Sequence, residues 1–428
     1  MNVVDSEVVV AILQQHNYEL TEELNEADLV LVNTCSIREN AEQRVRSRLK
    51  EFSQIKQKNE GVSVGIIGCM AERLKEKLLE DESMVDLVVG PDAYRELPAL
   101  LQEVESGQKG INTLLSLEET YGDIRPVRMD KNHVTSFVSI MRGCNNFCAY
   151  CVVPGTRGRE RSRDPETIIR EAAGLFEKGY REVTLLGQNV NSYAWKDGSR
   201  SLTFEKILEQ IAEIDPLLRV RFATSHPKDM SDDLLKVMAL YPNLCKAIHL
   251  PVQSGSTGVL ERMKRRYTRE HYMERISAIR KYLPGTSIST DIIAGFCGET
   301  EEEHQQTLSL MEWVGYDLAY MFKYSERPDT FAAQKYSDDI PEEVKSRRLN
   351  EIIHLQTKLS LVSKKQNVGQ IYEVLVEGRS KKSAEHLFGR TSQNKVVVFP
   401  KKNFKPGDYV KVTIDSCTSA TLIGNAIQ

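Results

Sequence analysis

Val134-Thr-Ser-Phe-Val-Ser-Ile-Met-Arg-Gly-Cys-Asn-Asn-Phe-Cys-Ala-Tyr-Cys151 is an apolar, β-branched run that ends in three cysteines. Its first part, 134–141, reads as a buried strand. Cys144, Cys148 and Cys151 follow directly in a C-x3-C-x2-C spacing, with the aromatic Tyr150 just before the last. Three thiolates from one short loop can hold three irons of a cubane [4Fe–4S] cluster and leave the fourth iron without a protein ligand. A cluster that only carries electrons usually takes four cysteines, so an open iron points to chemistry on a bound ligand. Zinc is the competing reading, but structural zinc prefers paired C-x2-C units and four ligands.

Working outward, strand candidates recur at 182–189, 218–224, 246–252, 287–294 and 318–324. Helical stretches separate them, for example 165–178, 204–213, 268–282 and 300–313. Six β/α units over 132–365 suit a partial barrel rather than a closed eight-fold one. The cysteines then lie at the top of that barrel, where barrel active sites sit.

Upstream, 1–115 also alternates strands with helices. Apolar runs at 28–35, 62–69 and 85–90 read as buried strands. Between the first two, Ile37, Ala41, Val45, Leu49, Phe52 and Ile55 recur at three and four, the spacing of an amphipathic helix. Such alternation implies an open parallel α/β sheet, whose functional groups gather at the carboxyl edge of its strands. Cys35 and Cys69 each end a strand, so both belong to that edge. Residues 5–16 read as a helix with no strand before it, which points to a missing opening strand. Downstream, 366–428 turns to short β-rich runs at 371–377, 395–399 and 409–414, punctuated by Gly378, Gly389 and Pro406-Gly407. A small five-stranded barrel of a type that often binds nucleic acid is the expectation.

A chain of 428 residues with 28 % charged residues is an ordinary globular composition, long enough for two or three cores. No apolar run approaches a membrane span and no signal peptide opens the chain, so a cytoplasmic protein with reduced thiols is expected. A net charge of −4 excludes a uniformly basic nucleic-acid binder but not a local basic groove. Arg157, Arg159, Arg161 and Arg163 alternate just after the cysteines, and arginine's planar fork suits phosphate. A solvated charged loop is the plain alternative, and the position beside the cysteines favours a phosphate role. Arg262, Lys264, Arg265 and Arg266 form a second basic run; Arg379, Lys381, Lys382 and Arg390 form a third. Together they could line an RNA path. Gln188, Asn189, Gln253 and Glu299 follow strand ends among glycines, so each either contacts a ligand's ribose, amino or carboxylate groups or caps its loop. His226 and His249 are core or pocket histidines without an assigned role. Cys245 and Cys417 lack partner spacing, and Cys297 is not read as a ligand.

The C-x3-C-x2-C loop is the signature of radical S-adenosylmethionine (SAM) enzymes. Together with Leu185-Leu-Gly-Gln-Asn-Val-Asn-Ser-Tyr193, Arg221-Phe-Ala-Thr-Ser-His-Pro-Lys-Asp-Met230 and His249-Leu-Pro-Val-Gln-Ser-Gly-Ser256, it resembles the radical SAM methylthiotransferases over nearly the whole chain. The resemblance implies a methylthiotransferase N-terminal domain over 1–115, a radical SAM domain over 132–365 and a TRAM domain over 366–428. It also implies SAM as the ligand, faced by Tyr150, Gln188, Asn189, Gln253 and Glu299, with Arg157, Arg159, Arg161, Arg163, Lys381 and Lys382 on RNA. Family members carry a second [4Fe–4S] cluster on three cysteines of the N-terminal domain. Only Cys35 and Cys69 match here, because Met1-Asn2 resemble the last two residues of the Gly-Cys-Gln-Met-Asn motif that supplies the first. Asp5 is at best a weak substitute. The implied reaction is methylthiolation at C2 of N6-isopentenyladenosine beside the anticodon of tRNA, with SAM as radical source and methyl donor. A low-potential donor such as a flavodoxin or ferredoxin, and a monomeric state, complete the expectation. Other branches, acting on threonylcarbamoyl-adenosine or a ribosomal protein, and a non-catalytic RNA-binding Fe–S protein, are the alternatives.

Overall fold

The computed structural model describes residues 1–35, 39–59, 61–130 and 132–427. Ile37 of the expected amphipathic helix lies outside the described residues. The chain divides into two compact units. The first holds Met1–Met129 together with Met141–Phe147 and Cys151–Thr167, so the arginine run folds with the amino-terminal residues. The second holds Asp130–Ile140, Cys148–Tyr150 and Ile168–Gln428.

In the first unit, β1 (Leu29–Thr34), β2 (Ser63–Gly68), β3 (Leu87–Val89) and β4 (Gly110–Asn112) form an all-parallel sheet in chain order. Successive side chains of a strand point to opposite faces, and here both faces are buried. Ile67, Leu87 and Val89 pack beneath helix α1 (Asn2–Gln14) through Val8, Val9, Ile12 and Leu13. Val64, Ile66 and Val88 pack beneath helix α2 (Glu39–Lys58) through Val45, Leu49 and Phe52. Those three α2 residues belong to the three-and-four periodicity of the sequence.

In the second unit, six parallel strands follow one another: β5 (Thr135–Ser139), β6 (Glu182–Leu186), β7 (Arg219–Phe222), β8 (Ala247–His249), β9 (Ser287–Ala294) and β10 (Leu318–Lys323). A single bridge between Val220 and Leu244 joins the two three-stranded halves into the expected partial barrel. Local chemistry fixes the helix ends. Thr300 accepts from the Glu303 amide at 3.2 Å and Glu303 accepts from the Thr300 amide at 2.9 Å, a capping box for helix Glu301–Val314. Gly315, in the left-handed region, stops that helix.

The expected small barrel is closed. It runs β11 (Ile371–Arg379), β12 (His386–Thr391), β13 (Val396–Pro400), β15 (Leu422–Ala426) and β14 (Tyr409–Cys417), with β14 pairing back onto β11. Val374, Val376, Leu387, Phe399, Val412 and Leu422 fill it. It is joined to the amino-terminal ends of the larger barrel's strands. Arg219 donates to the carbonyl of Arg390 at 2.8 Å, and Arg221 donates to those of Thr391 and Ser392 at 2.7 and 3.0 Å.

Candidate functional site

Two stretches frame the cysteine loop. In the first unit, Met141–Arg142 pairs antiparallel with Arg161–Ser162. Cys144 N–H donates to the Gly158 carbonyl at 3.1 Å, and the Asn145 amide donates to the Glu160 carboxylate at 3.1 Å. Gly143 has φ +75°, and a Cβ there would meet the Arg159 carbonyl oxygen at 1.9 Å, so glycine is required for this close approach. In the second unit, Ala149 is fully buried; its N–H donates to Met263 O at 2.9 Å and its carbonyl accepts from Ala332 at 2.7 Å. Tyr150 meets Phe296 edge-on at 6.3 Å. Buried Arg265 donates to Cys148 Sγ at 3.3 Å, to the Pro251 carbonyl at 2.9 Å and to Tyr267 Oη at 3.0 Å. None of the eight cysteines forms a disulfide. Three thiol side chains within eight residues, with a guanidinium on the middle one, suit a thiolate-held cluster.

Cys35 and Cys69 come to equal height on neighbouring strands, because Thr34 of β1 is in register with Gly68 of β2 and each cysteine is the next residue. Gly68 at φ +89° turns the chain from β2 into the helix that Cys69 opens. Cys69 Sγ accepts from Arg157 Nε at 3.1 Å. Arg157 also donates to Asp5 at 2.6 Å, and Arg142 donates to the other Asp5 oxygen at 2.9 Å. Burial pushes the Asp5 carboxyl up, but Arg157 and Arg142 more than offset it and hold it at about 2. Asp5 is thus a fully buried counter-ion with both oxygens engaged, which answers its reading as a substitute ligand. Arg142 also lies 4.9 Å from the Tyr121 ring centre, and Arg161 ion-pairs with Asp92 at 2.9 Å.

Three of the four arginines read as RNA contacts are therefore internal. Arg157, Arg161 and Arg163 are buried, the last donating to the Gly122 and Thr167 carbonyls. Their fork geometry serves carboxylates and carbonyls within the fold. Arg159 is exposed, as are Lys381 and Lys382 at the β11–β12 turn. The second basic run is also largely committed: Arg262 pairs with Glu303 at 2.6 Å, Lys264 lies over the Phe331 ring and Arg265 is buried.

At the carboxyl ends of β6 and β7, several buried polar atoms have no hydrogen-bond partner among the described residues: Gln188 Oε1, Asn189 Oδ1, Asn191 Oδ1, Ser225 Oγ and His226 Nε2. Unsatisfied buried groups are rare, and their gathering at a barrel's top suits a polar ligand. His226 Nδ1 accepts from the Lys228 amide at 3.2 Å, which leaves its proton on Nε2. Burial first, then Arg265, drives its pKa down to about 2, so the ring is a neutral donor. Gln253 adopts φ +69° beside β9. Through one oxygen, Oε2, Glu299 accepts from Gly295 N–H at 2.7 Å and from Arg348 at 3.0 Å, the loop-capping role that the sequence offered beside ligand contact. Spacing did not single out Arg142 or Ser225, and it read Arg265 only as part of a basic run and His226 only as a core or pocket histidine. Glu301, His304 and Glu351 also converge, but Arg347 ion-pairs with both carboxylates, at 2.6 and 2.7 Å, which makes the group an ion network.

Family models for the Radical SAM superfamily, the uncharacterized protein family UPF0004 and the TRAM domain match residues 138–311, 1–90 and 365–427. Among solved structures, the radical S-adenosylmethionine methyltransferase TsrM from Kitasatospora setae shares the fold at TM-score 0.58 and 15 % identity, over 77 % of this chain and 73 % of that one. The cobalamin-dependent enzyme OxsB gives TM-score 0.52 at 12 % identity, over 82 % of this chain and 53 % of its own. The tRNA-2-methylthio-N(6)-dimethylallyladenosine synthase of Bacteroides fragilis is 56 % identical over 100 % of this chain and 93 % of its own length. Those of Phocaeicola vulgatus and Amoebophilus asiaticus are 57 % and 55 % identical, over 94 % and 90 % of their lengths and 100 % and 99 % of this chain. The chain belongs to the family of tRNA-2-methylthio-N(6)-dimethylallyladenosine synthases, which are radical SAM methylthiotransferases.

Proposed function

We infer that this chain places a methylthio group at C2 of N6-isopentenyladenosine beside the anticodon of tRNA. The observation that carries the reading is the Cys144/Cys148/Cys151 loop with Arg265 on Cys148, in a chain 55–57 % identical to enzymes so named. Cys144, Cys148 and Cys151 would hold one [4Fe–4S] cluster, and Cys35 and Cys69 would ligate a second. When bound, these groups and SAM supply the radical that opens the C2–H bond and the methylthio group that replaces it.

The chain's own residues prepare the sites. Arg265 steadies the Cys148 thiolate by a charge-assisted hydrogen bond. The neutral Nε2–H of His226 and the open oxygens of Gln188 and Asn189 offer one donor and two acceptors to a polar ligand. Asp5, held on its other oxygen by Arg142, fixes the guanidinium of Arg157, and Arg157 donates to Cys69. Arg159, Lys381 and Lys382 are the exposed cations available to the RNA backbone. Of the three expected segments, 1–115, 132–365 and 366–428, the middle one lends Arg142 and Arg157 to the residues of the first. A flavodoxin- or ferredoxin-type donor in the cytoplasm would reduce the monomeric enzyme.

The test is anaerobic reconstitution with iron and sulfide, then SAM, a reductant and isopentenylated tRNA, read by nucleoside mass spectrometry. Methylthiolated product is expected. SAM cleavage without that product, but with product on threonylcarbamoyl-adenosine tRNA, would overturn the substrate assignment. Absence of any SAM cleavage in a fully loaded protein would overturn the enzymatic reading itself.

A further inference from the structure

Phe147 stands within the cysteine loop, directly before Cys148, and is 42 % exposed. An aromatic ring held out to solvent beside the reactive centre is unusual, and its backbone is more so. Its φ of +48° lies in the left-handed region, which a bulky residue avoids. Such a conformation persists only where its surroundings enforce it, and it clusters at functional sites. The enforcement is visible. The Cys144–Gly158 hydrogen bond, the reciprocal Asn145–Glu160 bonds at 3.1 and 3.3 Å and the packing of Gly143 on Arg159 clamp the loop to the arginine run. That clamp brings the Arg159 guanidinium to 5.7 Å from the Phe147 ring centre. Arg157, Arg161 and Arg163 are buried, whereas Arg159 is exposed and among the described residues meets no carboxylate.

We propose that Phe147 and Arg159 form a preorganised stacking platform for a nucleobase next to the target adenosine. The inference rests on the RNA substrate proposed above. A base drawn out of a loop strips its neighbour of a stacking partner, and RNA-binding proteins replace that partner with an aromatic ring or a guanidinium plane. Here both are already assembled, and Arg159 adds charge toward the adjoining phosphate. Because the strained backbone is set before RNA arrives, little ordering cost remains at binding.

The experiment measures the affinity of a fluorescein-labelled anticodon stem-loop RNA carrying isopentenyladenosine, by anisotropy, with iron per chain determined for every protein. Phe147→Leu keeps apolar bulk and removes the aromatic face. It is expected to weaken binding roughly 10- to 100-fold, the range of one base–aromatic stack, while Phe147→Trp stays within a few-fold of wild type. Arg159→Gln is expected to weaken binding and to lower its salt dependence by about one phosphate contact. Should Phe147→Leu load less iron, the comparison of Leu with Trp at matched iron content decides the matter. Equal affinity of the Leu variant and wild type overturns the platform. So does unchanged RNA affinity combined with slower reduction by flavodoxin, which would make the pair a protein-docking spot. If the wild-type chain binds no RNA and makes no methylthiolated product, the function proposed above fails. If it makes product while Phe147→Leu binds normally, only the platform fails.

Discussion

Asp5 shows how much a single buried charge can organise. It is fully buried, and its two oxygens face Arg142 and Arg157, partners 137 and 152 residues away. Sequence reading weighed Asp5 as a weak ligand and Arg157 as an RNA contact; pairing them required the fold, because nothing local marks a contact at that separation. Removing one partner from a buried ion pair leaves the others uncompensated, so Asp5→Asn is expected to destabilise the protein by about 3–5 kcal/mol. The pH dependence follows from the direction of the shift. The folded carboxyl sits at about 2, below its ordinary value of 3.8, so its contribution is present above about pH 4 and is lost as pH falls toward 2. Denaturant titrations should show wild type and variant converging over that interval; a gap unchanged down to pH 2 would contradict the pairing. Cys148 carries the second prediction at this scale. Cys148→Ala removes the proposed cluster ligand that Arg265 faces, and SAM cleavage should be abolished. Cleavage retained by a well-reconstituted variant would refute the ligand assignment.

The cysteine loop is the element in which local and non-local constraints meet. Its preceding strand was legible from apolar, β-branched composition, as were the other five barrel strands; the expected 287–294 coincides with β9. Helix periodicity was equally readable, because it acts within a few residues. The alternation of Arg157, Arg159, Arg161 and Arg163 misled for a physical reason. An alternating charge run looks solvated in isolation, but here a short helix, Val153–Arg157, and the strand pair Arg161–Ser162 carry alternate members inward to Asp5 and Asp92. Glu299 kept two readings for a related reason, since a carboxylate near a ligand motif and one that caps a glycine turn look alike in sequence. The loop's weakest tolerance is at Gly143. Gly143→Ala would add a Cβ 1.9 Å from a carbonyl oxygen and hold a non-glycine residue at φ +75°. The strain alone costs of order 1–3 kcal/mol. The expected outcome is a protein that keeps its helix content by circular dichroism but binds less iron on reconstitution. Iron content equal to wild type would show that the loop relaxes around the methyl group.

The two barrels of the second unit share a buried charge cluster, and this sets how the whole molecule would present Lys381 and Lys382 to RNA. Glu182, at the start of β6, ion-pairs with Arg221 at 2.8 Å and accepts from Arg390 of β12 at 3.2 Å. Arg221 then reaches the Thr391 and Ser392 carbonyls, and Tyr409 of β14 donates to the Leu217 carbonyl at 2.7 Å. These bonds hold turns of the small barrel against strand ends of the large one, so the two modules move together as long as the cluster is intact. Arg221→Met keeps the apolar stem but takes the guanidinium donor from the Ser392 carbonyl, leaves the Thr391 carbonyl with the Asn394 amide, and leaves Glu182 with Arg390. A destabilisation of about 3 kcal/mol is expected, concentrated in 371–426 because the first unit's sheet has its own core. Hydrogen exchange should quicken across β11 to β15 and stay unchanged in β1 to β4. With the small barrel loosened, RNA should be held less firmly, so KM for tRNA rises while SAM cleavage without RNA keeps its rate. Unchanged exchange in 371–426 would mean that the backbone contacts of Arg219 hold the modules together without Arg221.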